Sequence, residues 1–185
     1  MSKNGLTISM VFCAESANYG EGFGNFSTLK KMTRGDRNQY TYISRQAIRY
    51  NIVRQLQWDN TPVTNQNKVA QFDPKATIAD YPEIDLFGYM RTTAKGDDGA
   101  KGTSNTRNAV ARLSNAIALE PFSSDLEFLT NMGLAKRGGF ENEIAQSEIQ
   151  RSYYGYTIAV DLDLVGVDGD AEIPSGEKRN RVIAL

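Results

Sequence analysis

Three stretches of this chain alternate apolar and polar residues with a period of two, and a sheet covered on one face is the structure that such alternation demands. In Leu6 to Cys13 the apolar face is Leu6, Ile8, Met10 and Phe12, with Thr7, Ser9, Val11 and Cys13 opposite. In Ala109 to Leu119 one face offers Ala111, Leu113, Ile117 and Leu119, and the other Val110, Arg112, Ser114, Ala116 and Ala118. In Tyr153 to Leu164 the set Tyr154, Tyr156, Ile158, Val160, Leu162 and Leu164 stands opposite Tyr153, Gly155, Thr157, Ala159, Asp161 and Asp163. The second face of each strand is small and polar, so something can lie against it. It lacks the aromatic platform of the common RNA-recognition sheet.

Helical periodicity runs from Ser44 to Gln57, with Ser44 in the N-cap position. Ile48, Ile52 and Leu56 make one apolar row, and Ile43, Ala47 and Tyr50 a second, which predicts a helix covered on two sides. Arg45 and Arg49 share a stripe beside Ile52, Val53 and Leu56. A guanidinium there needs an anion, either a carboxylate of the fold or a phosphate from outside. The first-turn position of Arg45, where backbone N–H groups also attract anions, favours the phosphate.

Residues 59–107 read as an insertion, punctuated by Pro62, Pro74 and Pro82 and by a run from Lys95 to Ser104 with the composition of a mobile loop. Its strongly apolar segment is Asp85 to Met90. Residues 121–152 read as a second irregular region with a turn at Gly138 and Gly139, and a further helix is expected to start at Ser175, acting as its cap. Strand, helix, strand, strand and the start of a helix are the opening of a split βαββαβ, an α+β fold of ferredoxin-like or RRM-like type. The fourth strand, which would sit beside the first, is not among the 185 residues.

Composition removes several chemistries. The chain has no His, which deletes Ser-His-Asp and Cys-His catalysis and imidazole metal sites. The lone Cys13 excludes a disulfide framework and suits a reducing cytosol, so a cytoplasmic location is expected. No apolar run approaches the roughly 20 residues of a membrane span, and no membrane partner is expected. Asp161 to Glu172 nearly fits a calcium loop, but Val165 stands where a ligand belongs and a strand precedes it, so it reads as an acidic strand end and turn. The carboxylate pairs Asp97-Asp98 and Glu141 with Glu143 lie in segments that offer no pocket to tune them. No catalytic residue, metal site or cofactor is expected.

Net charge is −1 only in sum. Residues 1–58 carry eight Lys or Arg against three acids, 59–120 seven against eight, and 121–185 six against eleven. This gradient suits an anion-binding N-terminal part, or a basic patch meeting an acidic patch on another copy, unless the fold mixes the two ends. Asn18-Tyr-Gly-Glu-Gly-Phe-Gly-Asn25 follows the first strand. No helix signal follows at once, the third Gly is one place early for G-x-G-x-x-G, and no Lys-Ser/Thr closes a P-loop, so a nucleotide cofactor is disfavoured. A turn that admits a polymer backbone fits better, because Lys30, Lys31, Arg34 and Arg37 follow closely. A surface turn with a solvated basic face is the competing reading.

Leu6 to Phe12, Ala14 to Asn25, Tyr40 to Tyr50, Asp85 to Met90, Leu119 to Phe122 and Arg151 to Tyr154 closely resemble, in order, the DevR-type branch of the Cas-seven family. These are backbone subunits of type I CRISPR interference complexes (Cascade), and the resemblance is to subtype I-B. It implies an RRM-like palm with inserted fingers and a thumb, truncated before its last strand. The palm's first part with the glycine loop is then 1–58, the fingers 59–107, a palm strand 108–120, a thumb-like region 121–152, and a palm strand with the start of the second helix 153–185. The implied role is a non-catalytic subunit that polymerises as an oligomeric filament along CRISPR RNA and presents it to target DNA in antiviral defence. Its partners would be the RNA, target DNA through the guide, copies of itself and other Cascade subunits. The RNA-binding candidates are Asn18, Tyr19, Gly20, Gly22, Gly24, Asn25, Lys30, Lys31, Arg34, Ser44, Arg45, Arg49, Arg107 and Arg151. The alternative is a CRISPR-associated endoribonuclease, because related folds process or cut RNA.

Overall fold

A computed structural model of the chain describes residues 4–66, 69–92 and 104–185. The loop expected from Lys95 onward, with its Asp97-Asp98 pair, lies outside the described residues up to its last position, Ser104. In chain order the elements begin with β1 (Gly5–Glu15), β2 (Tyr19–Phe23), β3 (Phe26–Leu29), β4 (Lys31–Thr33), β5 (Gln39–Ile43) and α1 (Arg45–Gln55). There follow β6 (Val63–Gln66), β7 (Val69–Phe72), α2 (Pro82–Phe87), β8 (Tyr89–Thr92) and β9 (Ser104–Arg107). The rest are β10 (Ala111–Leu113), β11 (Ala116–Ala118), β12 (Asp125–Thr130), α3 (Met132–Gly138), β13 (Ile144–Ile149), β14 (Arg151–Asp161), β15 (Val167–Asp168), β16 (Ala171–Glu172) and α4 (Ser175–Ala184).

The architecture is mixed α+β. The largest sheet has the order β1-β14-β11-β5-β4, with β10 also paired to β14, and a second sheet has the order β12-β13-β3-β2. Along the chain β1, α1, β11, β14 and α4 succeed one another as a split βαββα opening requires, consistent with an RRM-like palm. The chain divides into two compact units. One comprises Met1–Ile8, Arg49–Leu113 and Ile158–Leu185, and the other Ser9–Ile48 and Ser114–Thr157.

The first unit packs Ala76, Ile78 and Ile84 with Phe72, Tyr81 and Tyr89. Pro82 opens α2, where its missing N–H costs nothing. Asp85 on that helix is completely buried. Its carboxylate accepts from Arg107 Nη2 at 2.6 Å, from Arg181 Nη1 at 2.9 Å and from the Gly166 N–H at 2.9 Å. Arg107 also donates to the Leu164 and Val167 carbonyls, and Arg181 to those of Ile78 and Ala79. Three charged groups are thereby buried with most of their hydrogen-bonding capacity used, which is the condition for tolerating charge in an interior. Gly166 sits at φ +68, and a Cβ there would fall 2.3 Å from Ile173, so the turn that delivers its N–H needs glycine.

The second unit packs Ala116, Ala118 and Tyr154 with Phe12, Ala14, Ile43, Ile48 and Tyr156. Phe12 stacks on Tyr154 with centroids 6.0 Å apart and meets Tyr156 edge-on at 5.9 Å. The buried Tyr154 hydroxyl is satisfied by Thr41 Oγ1 at 2.9 Å.

The alternation in β1 and β14 is observed on the expected faces as far as Val160, after which Leu162 and Leu164 enter an exposed turn. The acidic stretch after Asp161 is the expected strand end and turn, closed by the β15–β16 hairpin. Several expectations are corrected. The strand expected through 109–119 breaks at Ser114 and Asn115, and its phase inverts: Ala116 and Ala118 are buried while Leu119 is exposed. The break is hydrogen-bonded, since the Ser114 N–H donates to the Thr157 carbonyl and Ser114 Oγ accepts from the Thr157 N–H. Residues 121–152 are not irregular; they form β12, α3 and β13, with Gly139 as the left-handed C-cap of α3 in place of a free turn. Ser44 caps α1 through Oγ, which accepts from the Ala47 N–H, as expected. Ser175 does not cap α4: Pro174 occupies that position with no side-chain cap. Tyr50, placed on an apolar row, is 59% exposed. Tyr153, on the face read as lacking aromatics, is also exposed.

Candidate nucleic-acid interface

The glycine-rich stretch is a β-hairpin. Tyr19 pairs Leu29, Gly22 pairs Ser27 and Phe23 pairs Phe26, with an irregularity between Tyr19 and Gly22. The chain reverses at Gly24 and Asn25, and Gly24 takes φ +56, a value that suits glycine. A Cβ at Gly20 would lie 3.3 Å from Lys30 Cγ, and one at Gly22 3.1 Å from the Phe26 carbonyl oxygen. Asn18 ties the base of the hairpin to the start of α1, because its carbonyl accepts from the Lys30 N–H and its Oδ1 from the Ser44 N–H at 3.1 Å. Asn25 ties the tip to β13: its Nδ2 donates to the Ile144 carbonyl at 3.0 Å, and its own carbonyl accepts from the Gln146 N–H.

The cations differ in what they already hold. Lys31 Nζ lies 2.6 and 2.7 Å from the two oxygens of Glu148 and 4.4 Å from the centre of the Phe122 ring. Glu148 is buried and also accepts from the Leu29 N–H at 2.8 Å, so Lys31 serves the fold first. Arg34 stands 4.9 Å over the Tyr40 ring. Beneath it the Tyr40 hydroxyl, followed by Asn38, holds the Asp36 carboxyl below its ordinary range, and Asp36 in turn pushes the Tyr40 hydroxyl up. Arg45 is exposed, and its backbone N–H is taken by Asn115 Oδ1 at 2.8 Å, so any anion there would be held by its side chain. Lys30, Arg34, Arg37 and Arg45 have no carboxylate partner among the described residues. Arg151 is exposed, and Cys13, with Glu15 behind it, raises its already high pKa.

Two candidates belong to the first unit and hold carboxylates there. Arg49 Nη2 is 3.5 Å from Glu83, and its guanidinium lies 5.1 Å over Phe87, the fold-derived outcome of the two weighed for this stripe. Arg107 is buried against Asp85 and offers no open guanidinium, contrary to its place among the RNA-binding candidates. The other candidates all fall in the second unit. Asn115, Phe122 and Glu148 escaped attention, since each acts on a residue far away in sequence. Among the described residues no group of three or more acids or Cys is placed to hold a metal ion. No helix among them is long and apolar enough to cross a membrane.

Residues 6–185 match the family described as CRISPR-associated negative auto-regulator DevR/Csa2. The chain belongs to this DevR family. A curated relative, the CRISPR-associated protein Cas7/Cst2/DevR of Myxococcus xanthus, is 30% identical over 122 aligned residues, in a match that covers 60% of this DevR-family chain and 40% of the relative. The matched region is therefore about two fifths of that protein's length. Among solved structures, a chain of a CRISPR RNA-guided surveillance complex is similar in fold, with a TM-score of 0.51 and 11% identity over 97% of this chain and 58% of that one.

Proposed function

We propose that this chain is a non-catalytic backbone subunit that binds CRISPR RNA, polymerises along it within a type I complex of subtype I-B, and presents it for pairing with target DNA. The observation that carries the reading is the family match running from residue 6 to residue 185. The geometry supports it: Lys30, Arg34, Arg37 and Arg45 lie in one compact unit without carboxylate partners among the described residues, ready to follow a phosphate backbone. In this reading 59–107 are the fingers, 121–152 the thumb, and the remaining segments the palm. Copies of the chain and other Cascade subunits are its protein partners.

The test is purification of the chain followed by sequencing of co-purified RNA, and incubation of a labelled repeat–spacer RNA with and without magnesium. Bound, intact RNA under both conditions is the expected result. Cleavage would move the assignment to the endoribonuclease alternative. Failure to bind any RNA would overturn the reading.

A further inference from the structure

The turn that joins β4 to β5 places an arginine where the backbone asks for a glycine. Thr33 pairs Gln39 at the end of the ladder, the Arg34 N–H donates to the Asn38 carbonyl at 3.1 Å, and the Arg37 N–H donates to the Arg34 carbonyl at 2.9 Å. A hairpin loop closed in this way holds its last residue in the left-handed region, where glycine or asparagine fits with least strain. Arg37 stands there at φ +66, while Gly35 of the same turn takes no positive φ. Among the described residues the Arg37 side chain has no hydrogen-bond or ion-pair partner that would offset the strain.

Arg34, at the other end of the turn, is set by the fold beneath it, its guanidinium 4.9 Å over the ring of Tyr40, which is only 7% exposed. The hydroxyl of that ring donates to Asp36, and Asp36 also accepts from the Asn38 N–H at 3.1 Å and from Asn38 Nδ2 at 3.2 Å. The one acid of the turn therefore holds the shape of the turn and forms no ion pair with either arginine. Every residue from Thr33 to Gln39 is exposed and none is large and apolar, so an apolar partner has nothing to cover here. We infer that this turn is a preformed two-arginine clamp on the sugar–phosphate backbone of RNA, with Arg37 kept in a strained conformation for that contact and Asp36 and Tyr40 as positioning residues. The inference rests on the RNA-binding role proposed above. A guanidinium stacked on a ring keeps its N–H edges open, and those planar donors match the oxygens of a phosphate. Strain that does not serve folding is retained where it serves a site. Because phosphate is common to all nucleotides, such a clamp positions the strand without reading its sequence.

The experiment measures thermal melting of the full 185-residue chain and, across a salt series, its binding to a fluorescein-labelled oligouridylate and to an abasic sugar–phosphate strand of the same length. Arg37→Gly is expected to raise the melting temperature, because glycine relieves the strain. The same variant should weaken binding of both strands by about fivefold to tenfold near 0.1 M salt, with the salt slope lowered by about one unit. Arg37→Lys keeps both the charge and the strain, so it should keep the slope and the melting temperature of the wild type. Asp36→Ala adds a net positive charge, which alone would tighten binding. Weaker binding, at a temperature where melting shows the variant folded, is expected from the loss of a positioning group. An Arg37→Gly chain that binds both strands as the wild type does, or that melts lower, would overturn the inference and leave the RNA-binding role standing. An effect on oligouridylate without one on the abasic strand would overturn the phosphate contact in favour of a base. Tighter binding by Asp36→Ala would overturn the positioning role. Loss of self-association at unchanged RNA affinity would also overturn the clamp and assign the turn to an acidic surface of another copy. A wild-type chain that binds neither strand would take the RNA-binding role down first, and this inference with it.

Discussion

The first unit buries arginines, and the second leaves all of its arginines exposed. In the first, Arg107 and Arg181 are buried against Asp85, Arg49 faces Glu83, and Arg91 is buried with its guanidinium on the Pro74 and Ala76 carbonyls and over the Tyr89 ring. In the second, Lys31 is the one cation in an ion pair among the described residues, and Arg34, Arg37 and Arg45, which lead from the hairpin to the first turn of α1, are exposed. A cation with its hydrogen bonds filled by the fold has nothing to offer a ligand, whereas an exposed one contributes little to stability and much to the attraction of an anion. Position in the sequence does not separate the two kinds, since Arg45 and Arg49 stand one helical turn apart.

The sharpest way to break this contrast is Asp85→Ala. It strands two buried guanidiniums, and a loss of about 3–5 kcal/mol of stability is expected from urea unfolding. A loss below 1 kcal/mol would mean that the network is no keystone of the first unit. Lys31→Met comes next, at about 1–3 kcal/mol, because it leaves the buried Glu148 without its cation while Lys31 itself is partly solvated. If that variant instead keeps its stability and only lowers the salt slope of RNA binding, Lys31 belongs with the open cations.

Tyr89→Phe removes the hydrogen bond that its hydroxyl donates to Asp168, at a cost of about 0.5–1.5 kcal/mol near neutral pH. Burial, then Asp168, raises the pKa of this phenol. A raised folded-state pKa contributes stability that is whole below the unfolded value, near 10, and is lost as pH rises through the folded one. The wild type should therefore lose stability above pH 10 more steeply than the Phe variant, and parallel alkaline limbs would contradict the assignment. The smallest effect on stability belongs to Arg45→Ala, within about 0.5 kcal/mol. The same change should lower the salt slope of RNA binding by about one unit, equally for unrelated guides. A change that depends on base sequence would point to base readout at this residue.

Much of the fold was legible because it is local. The period-two faces of β1 and β14, the helix opened by Ser44 and the turn after Asp161 each follow from neighbours a few residues apart. The inversion at Ser114 was hidden, since Ala116 and Ala118 fit either face of an alternating strand and only contact with Tyr154 decides between them. In β12 every residue is exposed, so a one-sided burial pattern was never there to be read. The site was legible only as composition: basic residues and glycines after the first strand. Whether a given cation was free depended on Asp85, Glu83 or Glu148, distant partners that the spacing of charges cannot reveal.

The parallel pairing of β3 with β13 also has a meaning in time. A ribosome releases Phe23 and Phe26 early, and the hairpin that holds them can close at once, but Gln146 and Phe128 reach their places beside it only after β13 has been made. Long-range parallel pairing is slow to form. A nascent chain thus carries its basic segment well before the strand that pairs with its hairpin, and the four-stranded order of this sheet is withheld until synthesis has passed residue 149.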